Sequence, residues 1–198
     1  MHYPAHLQKL IEVLKQLPGV GAKSAERFAF NMLGWSDSKL KDMGRTISDI
    51  KAHIQSCEVC GCLKDDTRCH FCLGPNRNLQ VMCIIASPRD AFAMDKTNEY
   101  RGLYHVLGGL LSPIDGRGPE SLEISKLLNR IQEHGVREVV IALDATLEGD
   151  ATALYLKQIL EPCGVDTSRL AFGLPMGSSL DYVDGDTLGK AFTGRRHF

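Results

Sequence analysis

Four cysteines in this 198-residue chain fall as Cys57-x2-Cys60-x8-Cys69-x2-Cys72. Each Cys-x2-Cys knuckle can clamp one side of a tetrahedral zinc ion, whose bonds to thiolate sulfur of about 2.3 Å suit that spacing. With cysteine at every ligand position no place is left for water, so the spacing predicts a structural zinc rather than a catalytic one. Such an ion would supply folding energy to a segment too short and polar to build its own core. A redox pair accounts poorly for two knuckles in one short segment. Cys62 is an alternative ligand at a less suitable spacing, His70 is expected outside the shell, and Cys83 and Cys163 stand apart.

A second group with chemical potential is Leu17-Pro-Gly-Val-Gly-Ala-Lys-Ser-Ala. Gly19 and Gly21 let the backbone turn tightly and approach a ligand closely, and the helix that follows would offer unpaired amide hydrogens. Free amides and the helix dipole both favour an anion. Lys23 and Arg27, four residues apart, share one face of that helix, and Ser24 can cap it or donate to a phosphate oxygen. Phosphate held in this way carries no base information, so sequence-independent binding is expected, and the motif resembles the helix-hairpin-helix of DNA-repair proteins, which implies DNA as the ligand. The alternative is a helix–turn–helix corner that needs glycine for geometry alone. A dinucleotide fingerprint would require a preceding strand, and a helix precedes this motif.

The third group, Asp144, Glu148 and Asp150, follows an apolar run of strand length. Carboxylates at the carboxyl end of a parallel strand stand where such sheets place ligands, and hard oxygen donors suit Mg²⁺. Acids in the first turn of a helix are also favoured by its dipole, which explains Glu148 and Asp150 without a metal. Magnesium is therefore the weaker of the two readings.

The elements that must position these residues differ in texture. Leu7, Leu10, Ile11, Leu14 and Leu17 keep helical spacing in a first helix over 6–17 that Pro18-Gly19 stops. A second is expected over about 23–33, burying Ala25, Phe28, Ala29 and Met32, and Leu40, Met43, Ile47, Ile50 and Ile54 mark a third. Beyond the cysteines, Leu79–Ala86 and Val139–Leu143 read as strands buried on both faces. Helices are expected over 120–134 and 151–160, a short strand near 170–172, and a flexible Gly/Pro-rich loop over 108–119. Strands alternating with helices imply a parallel sheet. The fold class is thus α+β and multidomain, with helical unit 1–54, cysteine element 55–76, parallel α/β domain 77–175 and tail 176–198.

Net charge is −1, but residues through Ile54 carry +3 and the remainder −4, as a local phosphate-binding face would produce. No apolar run approaches the roughly 20 residues needed to span a bilayer, and the amino terminus has no secretory pattern. Cytoplasm is the expected compartment, where seven cysteines argue against a disulfide framework.

The order of glycine hairpin, cysteine quartet and α/β domain resembles the bacterial recombination mediator family RecR over essentially the whole chain. The strings that carry it are LPGVGAKSAERFAF, Cys57–Cys72, YRGLYHVLGGLLSPIDGRGP, LEGDATALYL, RLAFGLPMGSSLDYVD and TLGKAFTGRR. The resemblance implies a helix-hairpin-helix DNA-binding unit, a four-cysteine zinc finger and a Toprim domain. It also implies a DNA-repair protein that joins RecO, and in some settings RecF, to help load RecA onto single-stranded DNA, and that assembles with copies of itself into rings. By motif position it assigns phosphate contact to Gly19, Gly21, Lys23, Ser24 and Arg27 and zinc to Cys57, Cys60, Cys69 and Cys72. The Toprim acids fall on Asp144, Glu148 and Asp150, near a partner surface.

Two positions depart from Toprim enzymes: Ala86 stands where they carry a catalytic glutamate, and Thr146 where they carry the second acid of an Asp-x-Asp pair. Alanine cannot transfer a proton and two-metal phosphoryl chemistry needs clustered carboxylates, so a non-enzymatic role is expected. Asp90 is a charge near the vacated position. The rivals are a Toprim-type metal-dependent nuclease or primase-like enzyme, and a zinc-stabilised interaction module without DNA contact. Arg195 and Arg196 would touch DNA or a neighbouring subunit, or simply be solvated.

Overall fold

The computed structural model describes residues 3–65 and 68–195; Arg196 lies outside them. The chain forms two compact units, Met1–His53 and Ile54–Phe198.

In the first unit α1 (Ala5–Lys15) packs on α2 (Ala22–Leu33), and α3 (Asp37–His53) follows. The core is small: Ile11, Leu14, Ala25 and Ala29 are buried, with Tyr3, Leu7, Leu10, Val20 and Met32 packed around them. Alanines at positions 25 and 29, one helical turn apart, let the two helices approach closely. That close approach leaves no pocket for Phe28, which is exposed, and Leu17 lies past the end of α1 and is exposed too. The apolar stripe that marks α3 adds nothing to this core: no residue of that helix is buried, and Ile47 is 62% exposed.

The second unit holds a parallel four-stranded sheet in the order β4-β3-β5-β6, with β3 Asn78–Ile85, β4 Gly102–Val106, β5 Glu138–Ala142 and β6 Asp166–Arg169. Alternation along β3 sends Met82 and Ile84 to one face and Cys83 and Ile85 to the other. The first face packs on α6 (Ile124–His134) and α7 (Leu147–Leu160) through Leu127, Ile131, Ala153, Leu156 and Leu160. The second packs on α5 (Pro88–Asp95) and on the cysteine element. That element is a minimal antiparallel hairpin, β1 (Gln55–Ser56) with β2 (Leu63–Lys64), followed by the single turn α4 (His70–Leu73). Its buried residues Cys57, Cys60, Cys62, Cys69 and Phe71 join one cluster with Cys83, Ile85, Ala91, Tyr104, Val106 and Ala142 of the α/β domain. The segment therefore borrows its core from the sheet.

Several sequence expectations are corrected. The strand expected near 170–172 lies at Asp166–Arg169, a polar edge strand whose alternate residues stay exposed, whereas Leu170 beyond it is itself exposed. The helix expected over 151–160 begins earlier, at Leu147, and the one over 120–134 begins at Ile124 after a short 3-10 turn. Within the loop 108–119, Ser112 and Arg117 form a bridge, and the Leu111 amide donates to Thr152 Oγ1 on α7 at 2.9 Å. Strand β4, α5 and the terminal helix α8 (Gly185–Thr193) lie outside the elements that the sequence pattern marks.

Candidate metal centre and nucleic-acid interface

The two cysteine knuckles close on each other. The Cys57 amide donates to the Cys62 carbonyl at 2.7 Å, the Gly61 amide to the Cys57 carbonyl at 2.8 Å, and the Cys72 amide to the Cys69 carbonyl at 3.2 Å. Gly61 has φ +78°, and a Cβ there would meet Val106 Cβ at 2.8 Å, so the first knuckle turns tightly against the end of β4. The Val106 amide donates to the Cys60 carbonyl at 2.9 Å, fastening the knuckle to that strand. All four thiol sulfurs of Cys57, Cys60, Cys69 and Cys72 lie within 4.8 Å of one another, with Cys57–Cys72 at 3.8 Å and Cys60–Cys69 at 3.5 Å. Tetrahedral coordination at about 2.3 Å would place sulfurs about 3.8 Å apart, so the arrangement fits a metal ion. Among the described residues no other group of three or more His, Cys, Asp or Glu ligand atoms converges in this way.

Cys62 stands beside Cys60 rather than in the quartet. The neighbouring Cys60 sulfur first, then burial, push the Cys62 thiol up. His70 is turned outward, with Nε2 3.5 Å from Asp95. Cys83 is buried beside Met94 and Cys163 is exposed.

At the glycine hairpin, Gly19 adopts φ +80° and Gly21 is the N-cap residue of α2. No side chain caps that helix, so Ser24, in its first turn and half-buried, is not the cap. The open first turn retains its amide donors for a ligand. Lys23 and Arg27 are exposed, and among the described residues neither meets a carboxylate within ion-pair distance; Arg27 stacks on Phe28 at 5.6 Å. The neighbouring acid, Glu26, is occupied by the Tyr3 hydroxyl. The result is an anion-favouring helix start with two free cations beside it.

The three acids part company. Asp144 and Glu148 are exposed and share an open cleft of about 430 Å³ with Ala86, Ser87, Thr146, Asp115 and Arg117. Asp150 turns to the opposite side of α7, where Arg169 and Lys190 (3.5 Å) both reach its carboxylate. The Arg169 hydrogen bond chiefly, with Lys190 adding charge, holds that carboxyl below its ordinary range. Thr146 is the N-cap of α7 and accepts from the Gly149 amide at 3.1 Å. Asp90 folds back on the Ser87 amide (2.8 Å) as a capping box that starts α5, and so does not replace the acid absent at Ala86. Asp115, held by Ser112 and Arg117, is a cleft residue that sequence reasoning misses, because it lies in a stretch that reads as loop.

Beside the cysteines lies a buried polar pair. Arg130 is 4% exposed, and its Nη1 donates to the Tyr104 carbonyl at 2.8 Å and to His105 Nδ1 at 3.1 Å. Burial first, then the Arg130 charge, pushes His105 down to about 4, so its ring is neutral near pH 7. At the carboxyl end, Arg195 stacks on Phe192 and donates to its carbonyl. No helix among the described residues is long and apolar enough to cross a membrane.

Comparison with known proteins supplies the family. Residues 7–51 match the model "RecR, helix-hairpin-helix", residues 80–171 the Toprim domain, and residues 173–196 "RecR, C-terminal". The chain is 58% identical over 198 residues to the recombination protein RecR of Protochlamydia amoebophila, covering all of both chains. It is 45% identical over 194 residues to that of Acidothermus cellulolyticus (98% of both chains), and 45% over 196 residues to that of Desulforudis audaxviator (99% of both). With matches spanning the helical unit, the sheet domain and the tail, the chain belongs to the RecR family.

Proposed function

We propose that this protein is a non-enzymatic, DNA-binding mediator of recombinational repair. The observation that carries the reading is the uncapped start of α2 behind the Gly19–Gly21 hairpin, with Lys23 and Arg27 unpaired beside it. Backbone phosphate is the ligand that amides and mobile cations together suit, without base selectivity. Gly19, Gly21, Lys23, Ser24 and Arg27 form this contact, Ser24 through its hydroxyl. Recombination is named in the relatives themselves.

The cysteine quartet would hold a structural zinc ion, which closes the knuckles on β4 and performs no chemistry. Asp144 and Glu148, exposed at the sheet's carboxyl edge, serve as a partner surface rather than a Mg²⁺ site, since Asp150 is committed to Arg169 and Lys190. RecO, and in some settings RecF, are the partners with which the protein would help load RecA on single-stranded DNA. Self-assembly into a ring is supported by apolar side chains left open on both units, among them Ile47, Ile50, Leu147 and Phe192. Action on intracellular DNA makes the cytoplasm its compartment. A nuclease or primase-like activity is disfavoured by Ala86, by Thr146 acting as a helix cap, and by the divergence of Asp150.

The test is DNA affinity against salt concentration for the native chain and a Lys23→Ala/Arg27→Ala double variant. Each phosphate neutralised on a duplex contributes about −0.9 to the log–log slope, so the variant should bind more weakly with a slope flatter by roughly 1.8. Superimposable curves would reduce the hairpin to architecture and move the function to the protein-binding surfaces.

A further inference from the structure

The guanidinium of Arg130 is nearly sealed from water, yet among the described residues it has no carboxylate partner. Its Nε and Nη2, and Nε2 of His105, are buried nitrogen atoms without a hydrogen-bond partner. Guanidinium only donates, so the Arg130 bond to His105 Nδ1 places the ring proton on Nε2. Unmatched N–H donors thus cluster around a buried positive charge, and neither kind of group is buried without compensation at small cost. Among the described residues, no carboxylate lies within ion-pair distance of Arg130. Glu58 and Glu133 border the same pocket but are exposed to water.

The pocket also holds the cations Lys64, half-buried, and Arg68, exposed, so Arg130 is the buried cation among its lining residues. Arg130 and Leu103 line it together with Cys57, Cys69 and Cys72, three members of the quartet. A divalent ion bound by four thiolates leaves a local formal charge of about −2, spread over the sulfurs. We infer that Arg130, oriented by His105 and the Tyr104 carbonyl, is the buried counter-charge of a metal–tetrathiolate centre at Cys57, Cys60, Cys69 and Cys72. This rests on the reading of the quartet as a metal site. Arg130 sits on α6 and the quartet on the cysteine element, so the attraction also ties the first sheet face to the metal segment across the β4 edge. Arg130 is a positioning residue here: it acts through charge and donors toward the thiolates and is not itself a ligand.

The experiment uses the full chain. Zinc content is measured on purified native protein, and zinc affinity by competition with a chromophoric chelator for native protein, Arg130→Met, Arg130→Gln and Arg130→Lys. Removing a partner outside the ligand shell typically weakens metal binding about 10–100-fold, so the Met and Gln proteins should lose about that much while Lys stays closer to native. Thermal unfolding of loaded and metal-free protein supplies the second readout. Loss of Arg130 should lower the midpoint of the loaded form, and leave the metal-free form unchanged or raised because a lone buried charge has been removed. Equal losses in both forms would make Arg130 a purely structural tie between α6 and β4 and overturn the inference. So would native affinity in Met and Gln, or Lys and Gln binding alike. If Arg130→Met does not fold, the Lys–Gln comparison decides alone, since both side chains can donate hydrogen bonds and only Lys carries the charge. Native protein that carries no zinc and takes up none would instead overturn the metal reading itself.

Discussion

Gly149 shows how narrowly single residues are constrained near the acidic cleft. A Cβ there would overlap the Asp144 carbonyl oxygen, backbone that cannot swing aside. The chain needs that approach because β5 must turn directly into α7, with Thr146 capping the helix through the Gly149 amide. Gly149→Ala should therefore destabilise by about 1–3 kcal/mol, the usual range for overpacking, despite the helix-favouring nature of alanine. Chemical denaturation of the full chain measures it, and an unchanged midpoint would mean that the turn has slack. The same geometry explains Thr146. The position that holds an acid in Toprim enzymes here holds a hydroxyl whose bond is spent inside the helix cap, and the sequence alone marks it as a missing carboxylate without showing the cap.

At the scale of elements, α8 is held with few ties. None of its residues is buried, and one polar link to the sheet domain is Lys190, which reaches Asp150 and lies 4.2 Å from the Phe172 ring centre. Arg169 stacks on that ring from 4.6 Å and also binds Asp150, so one carboxylate and one ring gather β6, α7 and α8. Because the pairing holds Asp150 below its ordinary pKa, its contribution is fully present above the unfolded carboxylate value near 4 and is lost as pH falls through the lower folded-state value. Asp150→Asn should raise hydrogen exchange in α8 at pH 7, and the thermal-midpoint gap between native and variant protein should close as pH falls from 5 towards 3. A gap independent of pH would assign the effect to packing. What the sequence discloses at this scale follows from amplitude. Strands β3 and β5 are continuous apolar runs and α1 and α2 repeat cleanly, so they are legible. Strand β4 is not: Gly102, Tyr104 and His105 break its apolar pattern, although all five residues are buried. Nor is α5, a short helix whose start is signed by the Ser87–Asp90 capping box and by Pro88 at its first position. The apolar period of α3 identifies a helix correctly, but period reports only that a face seeks cover, and its own unit does not bury that face.

At the scale of the whole molecule, the two units draw on unequal sources of stability. Among the described residues the helical unit has a core of four buried side chains, independent of the cysteines. In the second unit the quartet is continuous with Ile85, Tyr104 and Ala142, so a metal there would support the sheet as well as the knuckles. Stripping the metal leaves mutually repelling or protonated thiols in a site packed for an ion, and apparent binding energies of about 10–16 kcal/mol for structural zinc show how much such a segment can depend on it. Chelation, or Cys69→Ser, should therefore release amide protection in the cysteine element and along the β4 edge, with α1 and α2 unaffected. Hydrogen exchange read segment by segment distinguishes the outcomes. Loss confined to the knuckles would make the element an appendage on a self-sufficient sheet, whereas loss extending through β4 and α6 is expected if Arg130 couples that helix to the centre. Loss in α1 and α2 as well would mean that the units unfold together, and that the helical unit's small core does not sustain it alone.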